Sequence, residues 1–104
     1  MLTVVETELF SRLVRDYWSE DERQAFAAYL ATHPDIGEVV PHSGGVRKVR
    51  WGRKGMGKRG GIRVIYFNRL DNGEIWLLLI YAKSANDNIP AQVLRELKEE
   101  LENG

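Results

Sequence analysis

The chain has 104 residues, which suits one domain, spanning 1–104, with a single modest core. Its 43% hydrophobic content and ten aromatic residues exclude a disordered chain, and the absence of cysteine excludes disulfides, thiolate nucleophiles and zinc-thiolate sites. The formal net charge is zero, yet the thirty residues from Pro41 to Leu70 carry nine Lys or Arg and no Asp or Glu, while the flanks carry net −5 and −4. An electrostatic field acts locally, so a cationic face for a polyanion is compatible with a neutral chain.

Leu2 to Val5 is short and β-branched at two positions and reads as a first strand. Glu6 to Trp18 places Leu9, Phe10, Leu13, Val14 and Tyr17 at the spacing of an amphipathic helix. Ser19 with Glu22 three residues on is a capping box, so a second helix starts there and presents Ala25, Phe26, Tyr29 and Leu30 before Pro34 ends it. Glu38 to Val40 is a weak strand. In Val46 to Trp51, the side chains of Val46, Lys48 and Arg50 alternate with Arg47, Val49 and Trp51, which puts some cations together on one face of a strand. Ile62 to Leu70 and Glu74 to Ala82 are the strongest strands, joined by Asp71-Asn72-Gly73 as a hairpin turn. Asn86, Asp87 and Asn88 are capping residues for a last helix with Pro90 in its first turn and Val93, Leu94, Leu97 and Leu101 in one apolar stripe. The expected fold class is α+β: a twisted, mainly antiparallel sheet with two N-terminal helices and one C-terminal helix, the helices on one face.

Between the two basic strands, GRKGMGKRGG matches two phosphate-binding patterns as bare strings. Gly52, Gly57 and Lys58 fit the start of a Walker A loop, but Arg59 stands where the magnesium-binding Ser or Thr belongs and a strand follows instead of a helix. Gly55, Gly57 and Gly60 fit GxGxxG and fail for the same missing helix. The segment reads instead as a glycine-rich hairpin tip. His33 and His42 stand apart from any carboxylate cluster with metal-ligand spacing, so neither a metal nor another cofactor is expected. The opening MLTVVETELF is too short and too soon acidic for a signal peptide, and no apolar run reaches membrane-spanning length. A cytoplasmic protein with no membrane partner is the expectation.

The stretch GVRKVRWGRKGMGKRGGIRVIYF, followed by a hairpin and IWLLLIYAKSANDN, resembles the RelE/HigB toxins of bacterial type II toxin–antitoxin systems. The likeness is greatest to the HigB branch with its GKGKRGG-like loop, here KGMGKRGG. It is specific over residues 44 to 88; the helices match in kind. The resemblance implies an mRNA interferase that enters the ribosomal A site, cleaves the message, and is held inactive by a cognate antitoxin, HigA-like with a helix-turn-helix. Its catalytic residues, carried over by position in the strand motifs, are Lys48, Arg50 and Arg63, with Lys83 in YAK and Tyr81 at the same strand's end. A C-terminal catalytic tyrosine known in part of the family has no clear counterpart. ParE proteins share the architecture and inhibit DNA gyrase, so a gyrase inhibitor is one alternative and a non-catalytic RNA-binding module is another.

Metal-independent RNA cleavage uses the substrate's 2′-hydroxyl against the adjacent phosphate, and needs a proton acceptor, a stabiliser of the phosphorane and assistance to the leaving oxygen. Guanidinium forks suit the second task, since they bind phosphate oxygens and keep their charge, which fits Arg50 and Arg63. Lysine suits the first or third task, because crowding among like charges favours the neutral amine. Arg53, Lys54, Lys58 and Arg59 in the loop, with Arg47 and Trp51 on the preceding strand, are expected to grip RNA on the ribosome.

Overall fold

The computed structural model describes residues 2–52, 61–84 and 88–103. In chain order these form β1 (Thr3–Glu6), α1 (Glu8–Leu13), a single 3₁₀ turn (Val14–Asp16), α2 (Glu20–Thr32), β2 (Glu38–Val39), β3 (Arg47–Trp51), β4 (Ile62–Arg69), β5 (Glu74–Ala82) and α3 (Ala91–Asn103). The five strands make one sheet in the order β1-β5-β4-β3-β2, antiparallel except where β1 lies parallel to β5. The α+β class and the two-plus-one division of the helices agree with the sequence. No helix among the described residues is long and apolar enough to cross a membrane.

The first helix begins later than its apolar spacing predicts, because Glu6 is used by β1, where it pairs with Leu77. Thr7 makes the transition. Its hydroxyl donates to the carbonyl of Leu77 at 2.8 Å and accepts from the amide of Phe10 at 3.3 Å, so it ties the strand and caps the helix together. At α2 both arms of the Ser19–Glu22 capping box form, at 2.9 and 3.2 Å. The β4–β5 connection closes through a 3₁₀ turn at Leu70–Asn72, and Gly73, at φ 69°, supplies the left-handed residue that reverses the chain.

The helices do not share one face. Phe10, Val14, Phe26 and Leu30 pack with Val49, Ile62, Val64, Tyr66, Ile75, Leu77 and Ile80. Leu94 of α3, with partly buried Ile89 and Leu97, packs instead with Val46, Ile65, Leu78 and Tyr81. Successive side chains of a strand point to opposite faces, and Val64 and Ile65, like Leu77 and Leu78, fall in different clusters. The expectation of one helical face therefore gives way to a three-layer arrangement. The reason is composition: every residue of β4 from Ile62 to Tyr66 is buried, and a strand apolar on both sides needs cover on both. The stripe on α3 is only half covered, with Leu94 buried and Val93 and Leu101 exposed. Pro90 stands just before the helix and accepts its first backbone bonds, from Val93 and Leu94. The expected caps Asn86 and Asp87 lie outside the described residues.

One irregularity matters for the site. Ile65 pairs with Leu79 while Tyr66 pairs with Leu77, leaving Leu78 as an extra residue in β5. Such a bulge inverts the side-chain alternation of everything beyond it.

A second tie joins the helices to the sheet's parallel edge. Arg23 of α2 forks onto the Glu6 carboxylate, with Nε to Oε2 at 2.7 Å and Nη2 to Oε1, and Ser11 donates to the same carboxylate at 2.8 Å. The Arg23 bond, reinforced by Ser11, holds the Glu6 carboxyl below its usual 4.5 despite partial burial. A lowered folded pKa gives stability that is full above 4.5 and is lost as pH falls through the folded value. The Glu6→Gln variant is expected to lose less stability than the parent between neutral pH and this acid range, as read from urea midpoints at stepped pH.

Candidate active site

The pairing of three strands builds a row of polar side chains. Arg50 of β3 is the register partner of Arg63 of β4, and Arg63 is the partner of Tyr81 of β5. Arg63 follows Ile62 and precedes Val64, both in the cluster under α1 and α2, so it points with Ile65 to the face that α3 covers. Tyr81 reaches that face only because of the bulge at Leu78. Were β5 to alternate regularly from Leu77 through Leu78, Tyr81 would point the other way.

Lys48 stands two residues before Arg50 on β3 and therefore on the same face. Its partner across β2 is Glu38. Glu38, Lys48, Val49, Arg50 and Arg63, with Ile36, line a cleft of about 370 Å³. Three cations from two adjacent strands thus meet one carboxylate from the edge strand. Arg63 is 8% exposed and is the one charged side chain among the described residues that is buried; Lys48 is half-buried and Arg50 exposed. A guanidinium held within a strand and buried to this degree has little rotamer freedom left to lose on binding phosphate. Lys83 is exposed just past the end of β5, where its amide donates to the carbonyl of Gly61 at 2.9 Å and extends the ladder one residue beyond the Ile62–Ala82 pair.

The structure thus brings together Lys48, Arg50 and Arg63 in the cleft, puts Tyr81 beside Arg63 by register, and leaves Lys83 at the margin. Arg47 and Trp51 are on the other face. Trp51 packs edge-on against Phe26 at 5.1 Å and near Tyr29 at 5.4 Å, inside the layer covered by α2. Arg47 donates from Nη1 to the Gly37 carbonyl at 2.6 Å and pairs with Asp35 at 3.4 Å, so its charge is engaged in holding the loop before β2. Arg53, Lys54, Lys58 and Arg59 lie outside the described residues. His33 stacks on Tyr29 at 4.0 Å, and His42 sits in the β2–β3 loop with φ 66°; neither lines the cleft.

Sequence reasoning does not reach Glu38. It belongs to a strand of two residues in the acidic N-terminal flank, and the signal that would find it is its register with Lys48, which no local pattern reveals.

The model of a family described as the RelE toxin of the RelE/RelB toxin–antitoxin system matches residues 3–102, nearly the whole chain. The chain belongs to the RelE toxin family. Membership makes it the toxin of a toxin–antitoxin pair and implies a cognate antitoxin as its partner. For a RelE toxin, a cationic cleft on a rigid sheet is the feature to weigh against the family's general ribonuclease character.

The different settings of the two β3 arginines are open to measurement. Arg47→Ala is expected to cost about 1–2 kcal/mol, because it removes a charge-assisted bond to a carbonyl and an ion pair. Arg50→Ala, at an exposed position, should stay within about 0.5 kcal/mol of the parent. Urea denaturation of the two purified variants makes the comparison.

Proposed function

We propose that this RelE toxin is a ribosome-dependent mRNA interferase: a metal-independent endoribonuclease that cuts the message in the A site and so inhibits translation. The observation that carries the reading is the Arg50–Arg63–Tyr81 row, set across three hydrogen-bonded strands and opening on the cleft that holds Lys48 and Glu38. The antitoxin is taken to be HigA-like, with a helix-turn-helix, and the site of action to be the cytoplasm. The first rests on the HigB-like loop of the sequence, and the second on the ribosome as the place of cleavage.

Cleavage begins with attack of the 2′-oxygen on the neighbouring phosphorus. As that P–O bond forms, the bond to the 5′-oxygen breaks, leaving a cyclic phosphate and a 5′-hydroxyl. The attacking and leaving oxygens lie on opposite sides of phosphorus, so the proton acceptor and donor must flank whatever holds the non-bridging oxygens. The row supplies that order. Arg63 and Arg50 hold the non-bridging oxygens and neutralise the charge that grows on them in the phosphorane. On the β2 side, Glu38 takes the 2′-proton, with Lys48 beside it to stabilise the developing negative charge. On the β5 side, Lys83 gives a proton to the departing 5′-oxygen, and Tyr81 borders the arginines. Arg53, Lys54, Lys58 and Arg59 grip ribosomal RNA, a role proposed from their charge in the sequence.

Arg63→Ala is expected to remove growth arrest and the new message ends seen by primer extension, with a drop of at least about a hundredfold in cleavage of A-site message. Arg63→Lys keeps the charge without the fork and should recover only part of the rate. A folded Arg63→Ala protein that cleaves normally takes this arginine out of the mechanism. If the parent instead blocks gyrase supercoiling and leaves the message whole, the interferase reading falls. Neutralising the four loop cations should flatten the dependence of ribosome affinity on salt, by about 0.7 to 0.9 in log–log slope for each phosphate no longer bound.

A further inference from the structure

Glu38 presents a positioning problem. It lies in a strand of only two residues at the sheet's edge, paired on one side, and the segment before it is an irregular loop. Such a strand would ordinarily fray, yet it carries one wall of the cleft.

The loop is fastened from the opposite face of the sheet. Tyr66 of β4 is fully buried, and its hydroxyl accepts from the Gly37 amide at 2.8 Å and donates to the Pro34 carbonyl at 2.7 Å. Asn68, two residues on, donates to the same Pro34 carbonyl at 3.0 Å. Arg47, the register partner of Tyr66, donates to the carbonyl of Gly37. Both backbone groups of Gly37 are therefore held by side chains of β3 and β4. The approach is so close that a Cβ on Gly37 would stand 2.9 Å from the phenol ring and its oxygen and 3.0 Å from the Lys48 carbonyl. Glycine is required here for space, and the next residue is Glu38.

We propose that Tyr66 is a positioning residue for the cleavage site: its hydroxyl pins the loop from Pro34 to Gly37 and thereby sets Ile36 and Glu38 against Lys48, Arg50 and Arg63. The inference rests on the interferase reading of the cleft. Tyr66 touches no substrate and lies on the face away from the cleft. Burial pushes the phenol above its ordinary range, so the hydroxyl keeps its proton for Pro34 throughout the pH range in which the toxin acts.

The test uses the full chain as Tyr66→Phe and, separately, Gly37→Ala, with Val14→Ala as a variant that weakens the same core away from the loop. Amide exchange is followed residue by residue, and A-site cleavage is measured at saturating ribosomes and at the half-saturating concentration. In Tyr66→Phe, exchange at Gly37 is expected to speed up at least about tenfold while the Val49 and Val64 amides keep their protection relative to global unfolding. The saturated cleavage rate falls about ten- to a hundredfold with little change in half-saturation, as misplacement of a reacting group requires. Gly37→Ala shows the same pattern with the phenol in place, and carries the comparison if Tyr66→Phe does not fold. Val14→Ala loses melting temperature and keeps its rate per folded molecule.

A Gly37 amide that stays protected in Tyr66→Phe, or a loosened Gly37 with parental cleavage, overturns the positioning role. If Arg63→Ala, assayed alongside, is inactive in that case, the interferase reading stands without it. A parent protein that leaves the message intact overturns both.

Discussion

The two-sided burial of β4 is the constraint on which the other features depend. From Ile62 to Tyr66 each side chain is enclosed, half under α1 and α2 and half toward the face of α3, and the strand is hydrogen-bonded to β3 and β5 along both edges. Within that frame stands one arginine. Placing Arg63 in a strand of this kind surrenders apolar packing and takes a guanidinium largely out of water, which a fold does not gain from in stability. The return is precision, since the strand fixes the base of the side chain to within the tolerance of the sheet itself.

The two faces of the sheet then divide the work. On the side of α1 and α2, Trp51 joins Phe26 and Tyr29, Arg47 and Tyr66 hold the loop from Pro34 to Gly37, and Arg23 with Glu6 ties α2 to β1. On the other side, α3 covers Ile65, Leu78 and Tyr81 while the cations occupy the cleft. Cations alternate along β3, so neighbouring residues of one basic run meet opposite fates. Lys48 and Arg50 face the cleft, and Arg47 between Val46 and Lys48 is drawn into the scaffold.

Much of this is legible in the chain. The capping box at Ser19, the bounds of β5 and the separation of Lys48 and Arg50 from Arg47 obey rules of local periodicity, and each depends on residues a few positions apart. The features that escape depend on distant pairs. The partnership of Tyr66 with Gly37 spans 29 positions and that with Pro34 spans 32, and Glu38 acquires its meaning from Lys48 across an edge strand too short to announce itself. The position of α3 is hidden for another reason. An unbroken apolar run such as IWLLLIY has no alternation, so it says that a strand is buried without saying what covers each side.

The bulge at Leu78 makes β5 two strands in one, with opposite side-chain frames before and after it. A one-residue slip of the end of β5 that took up the bulge would leave the composition of the strand unchanged and the sheet still paired, yet bring Ile80 opposite Arg63 and turn Tyr81 toward α1 and α2. The arginines would remain on their own strands. A strand paired in that way would leave the cations of β3 and β4 in place and take Tyr81 away from Arg63. Which side chains stand in the polar row thus depends on the pairing register of a single strand as much as on which residues the chain supplies.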